Sequence, residues 1–594
     1  MTEPSLTPDS PGFHLDPRVV RAFARFTGGF WTGPTAARAW SLTLGLVAFL
    51  VLSTGATVAL NAWNRWFFDA LENRDVATVA RSAAVFCLII AAMSAIGVAI
   101  VLTRETLQVR WRQWLVEHLI ARWLGRQRFY HMHADGTEPP NPEYRISDDT
   151  RWATEPLVDI VIGFVLAAIG AAAFISILWS VGGSYTLVAG GMSITIPGYM
   201  VVVALAYGAI ASGLMLWIGR PLVGYVGRKN EAEGYFRFAM MRLRDNAEGV
   251  ALMRGAPYEQ AILGRFYERV VERWLAIVRQ HGALTWVTNA SGPMIPVVPL
   301  LFAAPKYLSG DMSLGQVTQL AAAFVQVQLA ISWVVDNYNR IAEWYASARR
   351  VMDIVAACDA VDARLPAGPA PGTGAPAVAA ALAAAASPAM SNGHLRIDDA
   401  GLAVRAGEAV HISGESSVGK STLVRALSGL APAAGRSLAL PDAAGSVMVV
   451  PQRAYLPLGS LRDALLYPDP ALAADDAALC AALEHVGLGA IAGRLAEIAR
   501  WDQLLSTGER QRLAIARALV HRPCVVILDD ALGALEPAAQ ARLLDQLRAA
   551  LPQAAIVSLG QRAAAPGFHD RQLVLERQAG GAALRPMEAK LGTA

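Results

Sequence analysis

Six long apolar stretches lie in the first part of the chain, each close to the roughly 20 residues that a helix needs to cross a bilayer core. They occupy residues 39–61, 82–103, 156–181, 194–219, 285–309 and 314–336. The fifth stretch contains Pro293, Pro296 and Pro299, which a spanning helix tolerates where neighbouring helices satisfy the freed carbonyl groups. The pattern predicts an α-helical transmembrane domain with six spans.

Basic residues distinguish the two sides of this predicted bundle. Arginines are concentrated in the segments after the second and fourth stretches, whereas the connection at residues 180–195 has no basic residue. Because Lys and Arg accumulate in cytoplasmic loops, we expect both arginine-rich segments and both chain ends in the cytoplasm. The polar, acidic beginning of the chain lacks the basic and then apolar start of a signal peptide, so we expect no cleaved leader.

Both arginine-rich segments keep a helical periodicity of apolar residues, as in VRWRQWLVEHLIARWLGRQRFY at residues 109–130. This periodicity favours helices that continue well past the membrane surface. Amphipathic helices lying on anionic lipid are the alternative. Each segment has an interior break suited to docking, at residues 133–149 and 246–255.

Composition sets the domain boundaries and excludes some functions. With 594 residues, 54% hydrophobic and 17% charged, the chain is more apolar than a soluble protein and long enough for two domains. A net charge of +3 argues against nucleic acid binding, and four cysteines without a CxxC pair argue against a zinc site. We expect a cytoplasmic tail and elbow helix at 1–31, the transmembrane domain at 32–350, an Ala/Pro/Gly-rich linker at 351–393 and an α/β domain at 394–594.

A glycine-rich loop follows the strand-like run EAVHIS and precedes a helix-like run. The loop has the pattern G-x-x-x-x-G-K-[ST] in a strand, loop and helix context, which predicts a P-loop NTPase domain that binds ATP and Mg²⁺. Backbone N–H groups would surround the phosphates, Lys420 would reach the β- and γ-phosphates, and the Ser421 hydroxyl would bind Mg²⁺. The predicted nucleotide-binding residues are Gly414, Glu415, Ser416, Ser417, Val418, Gly419, Lys420, Ser421 and Thr422.

Two further segments have residues suited to the same nucleotide site as this loop. The apolar run VVILD ends at Asp529, an acid suited to hold magnesium from the carboxyl edge of a sheet. The segment LSTGERQR stands at residues 505–512. Here the sequence resembles the ABC ATPases, whose signature motif presents a serine hydroxyl and backbone amides to a nucleotide held by the opposite copy. The resemblance implies nucleotide contacts from Ser506, Thr507, Gly508 and Glu509.

The same resemblance places Gln452 at the position that touches Mg²⁺ and the attacking water. Because the chain carries one such domain, the resemblance also implies a second copy of the chain as partner. A homodimer is the expectation, and a heterodimer with a different partner stays open.

Longer segments are similar to the SbmA/BacA-like branch of ABC proteins, relatives of the peroxisomal fatty-acyl transporters. They are RWRQWLVEHLIARWL, NPEYRISDD, FRFAMMRLRDNAEGVALMRG, FVQVQLAISWVVDNYNRIAEW and PQRAYLPLGSLRDALLYP. The resemblance covers nearly the whole chain. It implies an exporter-type ABC fold in the bacterial inner membrane, surrounded by lipid, that takes up peptides, cobalamin and other bulky hydrophilic solutes.

Two catalytic positions depart from the family pattern. Asp530 stands where the family has glutamate, and a misplacement of about 1 Å in a catalytic group can lower the rate about a hundredfold. Gln561 stands at the switch position in place of histidine; its amide donates a hydrogen bond but cannot become cationic. His569 falls in a different segment, FHDR, and does not replace the switch residue.

These departures predict slow hydrolysis with nucleotide binding preserved. They leave two functions open: an ATP-driven transporter, and a transporter driven by a proton gradient whose nucleotide domain binds ATP but hydrolyses it poorly. Transport in the outward direction is a further alternative.

Polar residues inside the predicted spans are candidates for lining a cargo cavity, because lipid exposure of such groups is costly. For the glutamines, hydrogen bonding between helices is the alternative, and for the two acids at span ends simple hydration is the alternative. The candidates are Asp159, Asn289, Gln319, Gln326, Gln328 and Asp336.

Overall fold

A computed structural model describes residues 16–189, 192–364, 394–397, 402–415, 418–428, 430, 438–439, 447–560, 567–578 and 581–586. The chain divides into two units, Met1–Ala363 and Arg364–Ala594.

The described part of the first unit is almost entirely helical. Its helices are α1 (Pro17–Thr27), α2 (Gly29–Thr32), α3 (Ala36–Glu72), α4 (Val76–Leu124), α5 (Arg128–Ala134), α6 (Pro142–Tyr144), α7 (Thr150–Gly182), α8 (Tyr199–Gly219), α9 (Leu222–Asp245), α10 (Ala247–Leu252), α11 (Ala256–Ser291), α12 (Met294–Leu308), α13 (Leu314–Asp336) and α14 (Tyr338–Arg364).

Among the described residues of this unit, six helical segments are long and apolar enough to cross a membrane, which confirms the predicted number of spans. Several are much longer than a bilayer. Helix α4 has 49 residues, about 74 Å at 1.5 Å per residue, against a hydrocarbon core of about 30 Å. Since α4 runs without interruption from its apolar part into the arginine-rich segment, that segment is a continuation of the span, as the periodicity predicted.

The predicted start of the fourth span at residue 194 is wrong. Strands β1 (Ser184–Ala189) and β2 (Met192–Pro197) pair in an antiparallel hairpin, and α8 begins only at Tyr199. The run MSITIP contains three consecutive β-branched residues, Ile194, Thr195 and Ile196, which favours a strand. Gly198, with a φ of 60°, then provides the left-handed residue at which the chain turns into the helix.

The predicted breaks in the two arginine-rich segments are present. In the first segment, α5, α6 and a π-helical stretch, Arg145–Asp149, separate α4 from α7. In the second, the short helix α10 lies between α9 and α11. The predicted linker boundary at 351 is displaced, because α14 continues to Arg364. The rest of that predicted linker, residues 365–393, and residues 1–15 of the predicted tail lie outside the described residues.

Ion pairs join the first break to α14. The Arg350 guanidinium donates to both oxygens of Asp149, at 2.8 and 2.6 Å, and Asp149 is fully buried. The Arg145 guanidinium donates to Asp353 at 3.1 Å and to the Arg350 carbonyl at 3.0 Å. A bidentate pair to a buried carboxylate is a directional contact, so these contacts fix the π-helical stretch to α14.

The described part of the second unit is a mixed α/β domain. Its strands are β3 (His394–Ile397), β4 (Leu402–Arg405), β5 (Ala409–Ser413), β6 (Leu438–Ala439), β7 (Val447–Val450), β8 (Gly459–Ser460), β9 (Ile498–Ala499), β10 (Val525–Asp529), β11 (Ala555–Gly560), β12 (Arg571–Gln578) and β13 (Gly581–Pro586). Its helices are α15 (Lys420–Leu427), α16 (Leu461–Leu466), α17 (Asp476–His485), α18 (Trp501–Leu504), α19 (Thr507–His521) and α20 (Pro537–Ala550).

The main sheet places the predicted site residues at one edge. Its described strands follow the order β13-β12-β5-β11-β10-β7, and β12, β5, β11, β10 and β7 run parallel. The run VVILD of β10 is buried through its first four residues, as expected of a central parallel strand. The carboxyl ends of β5, β10 and β7 therefore deliver the glycine-rich loop, Asp529 and the segment of Gln452 to the same edge of the sheet.

Candidate nucleotide-binding site

The glycine-rich loop follows β5, and Lys420 opens helix α15. The Lys420 ammonium donates to the Glu415 carbonyl at 2.8 Å and also to the Gly414 carbonyl. Gly414 has no room for a side chain, because a Cβ there would lie 2.9 Å from the Leu575 carbonyl oxygen. Gly419 has a φ of 113°, a conformation that favours glycine.

The remaining described residues of the loop differ in their exposure to solvent. Val418 is half-buried, and Ser421 and Thr422 are exposed in the first turn of α15. Exposed hydroxyls and N–H groups at the start of a helix suit a polyphosphate and its metal ion. Ser416 and Ser417 lie outside the described residues.

Asp529 and Asp530 end strand β10. Burial raises the pKa of Asp529, and the negative charge of Asp530 raises it further, partly offset by Lys420. Asp530 has a φ of 47°, in the left-handed region that Asp tolerates better than most residues. Its N–H donates to the Leu559 carbonyl at 2.8 Å, so the turn after β10 is held to β11.

Gln452 lies close to the second acid. Its side-chain amide donates to the Asp530 carboxylate at 3.3 Å. The structure thus brings together Gln452 and Asp530, which the sequence assigned to one site. Gln561 lies outside the described residues, directly after Gly560, which is paired with Ser413 at the end of β5.

His569 has a different environment from the switch position. Its Nε2 lies 3.1 Å from the Ser558 hydroxyl, and its ring stands 5.0 Å from that of His411 on β5. His411 and Ser558 are both buried. These contacts place His569 against the strands of the sheet.

The signature segment forms the start of helix α19. The Ser506 hydroxyl caps the helix by accepting from the Glu509 N–H, and the Glu509 carboxylate accepts from the Ser506 N–H at 2.9 Å and from its hydroxyl at 2.7 Å. This reciprocal capping box fixes both ends of the first turn. The Ser506 hydrogen bonds lower the pKa of Glu509. Thr507 and Gly508 are the first two residues of the helix, and a Cβ on Gly508 would lie 3.2 Å from Leu535.

Gln511 is a site residue that the sequence reasoning missed. Its side chain is 3% exposed, donates to the Gln452 carbonyl at 3.4 Å and accepts from the Ala534 N–H at 3.2 Å. It therefore connects the signature helix with the segment of Gln452 and with the loop after Asp530. The sequence contained only a weak signal, a glutamine on the buried face of an otherwise apolar and basic helix.

Arg517, on the same helix, was also missed. Its guanidinium donates to the Ala464 carbonyl at 2.9 and 2.7 Å and to the Tyr455 carbonyl at 3.2 Å, and lies 5.2 Å from the Tyr467 ring centre. Burial lowers the pKa of Arg517 to about 10. The contacts hold the segment after Gln452 against the signature helix.

The residues present fit a magnesium nucleotide. Within the described residues no group of three His, Cys, Asp or Glu side chains forms a metal cage. Magnesium is commonly held by one or two carboxylates together with phosphates and water. Asp529 and the exposed Ser421 hydroxyl would hold the ion, and Lys420 would neutralise phosphate charge.

Two of the six polar candidates of the membrane unit bind other helices through their side chains. The Asn61 amide donates to the Gln319 carbonyl at 3.0 Å, and the Gln328 amide donates to the Ala204 carbonyl at 2.8 Å. Asp159 accepts from Gln108 at 2.9 Å and from Arg340 at 3.0 Å. For Gln328 and Asp159 these side-chain contacts favour the structural alternative over a cargo cavity. The Gln319 contact involves only its backbone carbonyl, and the Gln319 side-chain oxygen is buried without a hydrogen-bond partner. Asn289 and Asp336 are exposed, and Gln326 is half-buried.

Two family profiles match the chain in agreement with its two units. The ABC transporter transmembrane region 2 matches residues 33–308, and the ABC transporter domain matches residues 397–533. The predicted combination of a transmembrane domain and a nucleotide-binding domain is thereby confirmed.

Curated relatives extend over most of the chain. An uncharacterized ABC transporter ATP-binding protein of Synechocystis is 30% identical over 91% of this chain and 80% of its own length. The inner membrane ABC transporter ATP-binding protein YddA of Escherichia coli is 25% identical over 89% and 92%. The chloroplastic ABC transporter D family member 2 of Arabidopsis thaliana is 25% identical over 96% and 88%.

Among solved structures, a bacterial Atm1-family ABC exporter with ATP bound matches with a TM-score of 0.69. The match covers 91% of this chain and 96% of that chain at 17% sequence identity. At this identity the likeness concerns the fold, and it confirms the predicted exporter-type fold class.

Proposed function

This chain belongs to the ABC transporter family, and from that premise we propose that it moves a bulky hydrophilic solute inward across the bacterial inner membrane. It is a multi-pass membrane protein, and its second unit is the ATP-hydrolysing domain of such transporters. ATP with Mg²⁺ is the proposed energy source. Both chain ends lie in the cytoplasm in this proposal, which is supported by the concentration of arginines in the segments after the second and fourth spans.

The observation that carries this proposal is the group of side chains at the carboxyl edge of the main sheet. Lys420 opens the helix after the glycine-rich loop, Asp529 ends β10, and Gln452 reaches Asp530 at 3.3 Å. A cation, a metal-binding acid, a second acid and an amide at one edge are the groups that phosphoryl transfer to water requires. Gln561 would complete the group as a donor to the γ-phosphate.

A homodimer is part of the proposal, since the family resemblance assigns Ser506 to the nucleotide of the opposite copy. Exposed apolar side chains on α9, on α11 and on the short helix α10 and its end between them support it. Phe238, Leu252, Met253 and Tyr258 are 65–78% exposed in the single chain. They lie beyond the predicted spans, where no lipid would cover them, and such patches mark protein interfaces.

Mixed copies test the shared site. Lys420→Ala and Ser506→Arg should each abolish turnover when present in both copies. In a dimer of one Lys420→Ala chain and one Ser506→Arg chain, both changes fall in the same composite site and the other site stays intact. We expect turnover to return on co-expression with two affinity tags. Mixed dimers as inactive as the single variants would contradict sharing between copies.

The cargo class and direction follow from the resemblance to the SbmA/BacA-like branch. The relatives YddA and D family member 2 agree with a fused half-transporter of this kind but carry no cargo in their names. Peptides and cobalamin-like solutes are proposed as cargo on the resemblance of this chain to that branch alone.

A second candidate function is transport driven by a proton gradient, with ATP as regulator. The observation that favours it is Asp530, which is one methylene shorter than the family's glutamate and already accepts a hydrogen bond from Gln452. A carboxylate held in this way is poorly placed to activate water.

Uptake into right-side-out vesicles separates the two functions. Cyanocobalamin and a fluorescein-labelled peptide are the probes, with ATP loaded inside and a protonophore added or omitted. Uptake that is lost in Lys420→Ala and insensitive to the protonophore supports ATP-driven import. Uptake that survives in Lys420→Ala and is lost with the protonophore supports the second function. No uptake of either probe by an ATP-hydrolysing protein would contradict the cargo class.

A further inference from the structure

Two carboxylates at the end of α3 bind the start of α13. The Leu314 N–H donates to the Glu72 carboxylate at 2.9 Å. The Gly315 N–H donates to the Asp69 carboxylate at 3.1 Å. The first N–H groups of a helix have no partner within it, and the positive end of the helix dipole favours an anion. Gly315 permits this approach, because a Cβ there would collide with the Arg65 carbonyl oxygen.

One turn further along α13, the same two helices bury polar atoms that lack partners. The Asn61 amide donates to the Gln319 backbone carbonyl at 3.0 Å, and the two residues are only 3% and 8% exposed. Both side-chain oxygens are closed off from water, and neither accepts a hydrogen bond from the described residues. A buried acceptor without a donor disfavours the arrangement that buries it by about fivefold or more.

The apolar cores of this unit hold the two ends of α3 differently. One core is built from α7, α8, α12 and α13, and within the described residues Val58 is the one residue of α3 that packs against it. The other end of α3 contributes Ala39 and Leu46 to a core that also contains residues of α4, α7 and α14. Polar contacts exchange partners with water at a small net cost, whereas apolar contacts do not. The end of α3 near α13 can therefore separate while the other end stays packed.

We propose that Asp69 and Glu72 form a latch, which closes the extracytoplasmic ends of α3 and α13. The buried oxygens of Asn61 and Gln319 oppose the latch, since they gain partners from water when the helices part. Opposing contributions of similar size leave both the closed and the open arrangement populated. The latch rests on the proposed orientation and direction of transport, because an importer opens on this side to admit cargo.

A contact that only packs two helices predicts a different response to substitution. Any change to a packing contact loosens it, whichever residue is changed. The latch predicts opposite effects, because removing the carboxylates favours opening and removing an unpaired oxygen favours closure. The sign of each effect therefore separates the two interpretations.

Reaction of a thiol from the extracytoplasmic side measures the opening. Thr54 is 6% exposed and lies two turns from Asn61 on the same face of α3. In the Thr54→Cys reporter, a charged, membrane-impermeant maleimide reaches the thiol when α3 and α13 part. The reagent is added to right-side-out vesicles without ATP or cargo. Mass spectrometry of the labelled peptide gives the rate at this position alone.

Asp69→Asn and Glu72→Gln, introduced together into the reporter, should speed labelling. A carboxylate at a helix N-terminus contributes a factor of about two to five to an equilibrium, so the two together give about four- to twenty-fivefold. Asp311→Asn is the matched control. This exposed acid lies before α13 and binds the Ser309 hydroxyl, so the labelling rate should stay that of the reporter.

Gln319→Met in the reporter should slow labelling about fivefold or more. Methionine has a similar size, keeps the backbone carbonyl that binds Asn61, and removes one unpaired oxygen. Gln326→Met, at a half-buried position of the same helix, is the matched control and should leave the rate unchanged. Melting temperatures of all variants show that they fold.

Three results would overturn the latch. The first is labelling that is no faster without the two carboxylates. The second is labelling of the Gln319→Met variant that equals or exceeds that of the reporter, as a packing contact predicts. The third is reaction from the cytoplasmic side alone, which would reverse the orientation. A chain that neither hydrolyses ATP nor takes up cargo would still give the predicted rates, so failure of the transport function is distinguishable from failure of the latch.

Discussion

The Gln452 amide donates to the Asp530 carboxylate across 3.3 Å, and Asp530 adopts a left-handed backbone conformation with a φ of 47°. The contact joins the segment after β7 to the turn after β10. The contact holds the carboxylate of Asp530, whose side chain is one methylene shorter than the glutamate of the family pattern. The carboxylate is directed at the amide by a backbone turn that Asp accepts more readily than Glu.

Replacing Asp530 with glutamate should raise MgATP turnover, up to about a hundredfold if the missing methylene is the limiting factor. The left-handed conformation is less favourable for glutamate, so we expect a lower melting temperature for the same variant. Steady-state phosphate release and thermal unfolding measure the two effects. Asp530→Asn is the control: it keeps the turn and removes the charge, and it should be inactive. Equal turnover in Asp530→Glu and the unmodified chain would mean that the acid's length does not limit the rate.

Replacing Gln511 with methionine should lower kcat about tenfold and leave the KM for MgATP nearly unchanged. Methionine has similar size but removes both hydrogen bonds, to the Gln452 carbonyl and from the Ala534 N–H, so two segments of the site lose their fixed positions. Gln546→Met, on the exposed side of α20, is the matched control and should behave as the unmodified chain. If kcat stays unchanged, Gln511 is a packing residue without a positioning role.

Replacing Arg517 with lysine should destabilise the nucleotide-binding domain by about 2 kcal/mol. Lysine cannot reach the Ala464 and Tyr455 carbonyls together, and a buried acceptor left without a donor costs about 1–3 kcal/mol. The domain's melting temperature should fall by roughly 5 °C. Arg542→Lys on the exposed face of α20 should shift it far less. Equal shifts in the two variants would contradict the assigned contacts.

The raised pKa of Asp529 predicts a pH-dependent stability without nucleotide. Its ionised form is disfavoured by burial and by Asp530. A group with a raised folded pKa stabilises fully below its unfolded pKa and loses that contribution as pH rises through the folded value. At neutral pH, Asp529→Asn should therefore melt higher than the unmodified chain when both lack nucleotide. The difference should shrink as pH falls toward the ordinary aspartate range.

Asp529→Asn should raise the melting temperature without nucleotide but should impair the binding of nucleotide. Asp529→Asn should lose magnesium-dependent affinity for ATP, because the carboxylate is the ion's ligand in the proposed site. Asp545→Asn, at an exposed position of α20, should change neither property. A variant that melts lower than the unmodified chain at neutral pH without nucleotide would show that burial does not disfavour the Asp529 charge.

The spans and the glycine-rich loop could be predicted from sequence because each rests on a local pattern. A run of about twenty apolar residues indicates a membrane-spanning helix. The glycines of the loop and Lys420 are close together in the sequence, so their pattern can be recognised directly. The hairpin of β1 and β2 was missed because its β-branched residues directly adjoin the apolar part of α8, and hydropathy does not separate the two. The end of α14 was misplaced because an alanine-rich helix and an alanine-rich linker have similar composition.

Gln511 and Arg517 could not be identified because their partners are backbone atoms. Any residue at position 464 or 455 would offer the same carbonyl oxygen to Arg517, so the sequence carries no matching partner. The two alternatives for the membrane glutamines could not be separated from sequence for a related reason. The Gln328 side chain donates to the Ala204 carbonyl, and whether a glutamine faces a helix or a cavity depends on tertiary packing.

The most direct test of ATP-driven transport is steady-state MgATP hydrolysis by the full chain in lipid nanodiscs, unmodified and as Lys420→Ala. Asp530→Glu and Gln561→His are measured beside them. We expect slow turnover by the unmodified chain, none in Lys420→Ala, and faster turnover in the two variants that restore the family residues. An unmodified chain with no turnover, together with activity gained only in the restored variants, would contradict ATP hydrolysis as the driving force.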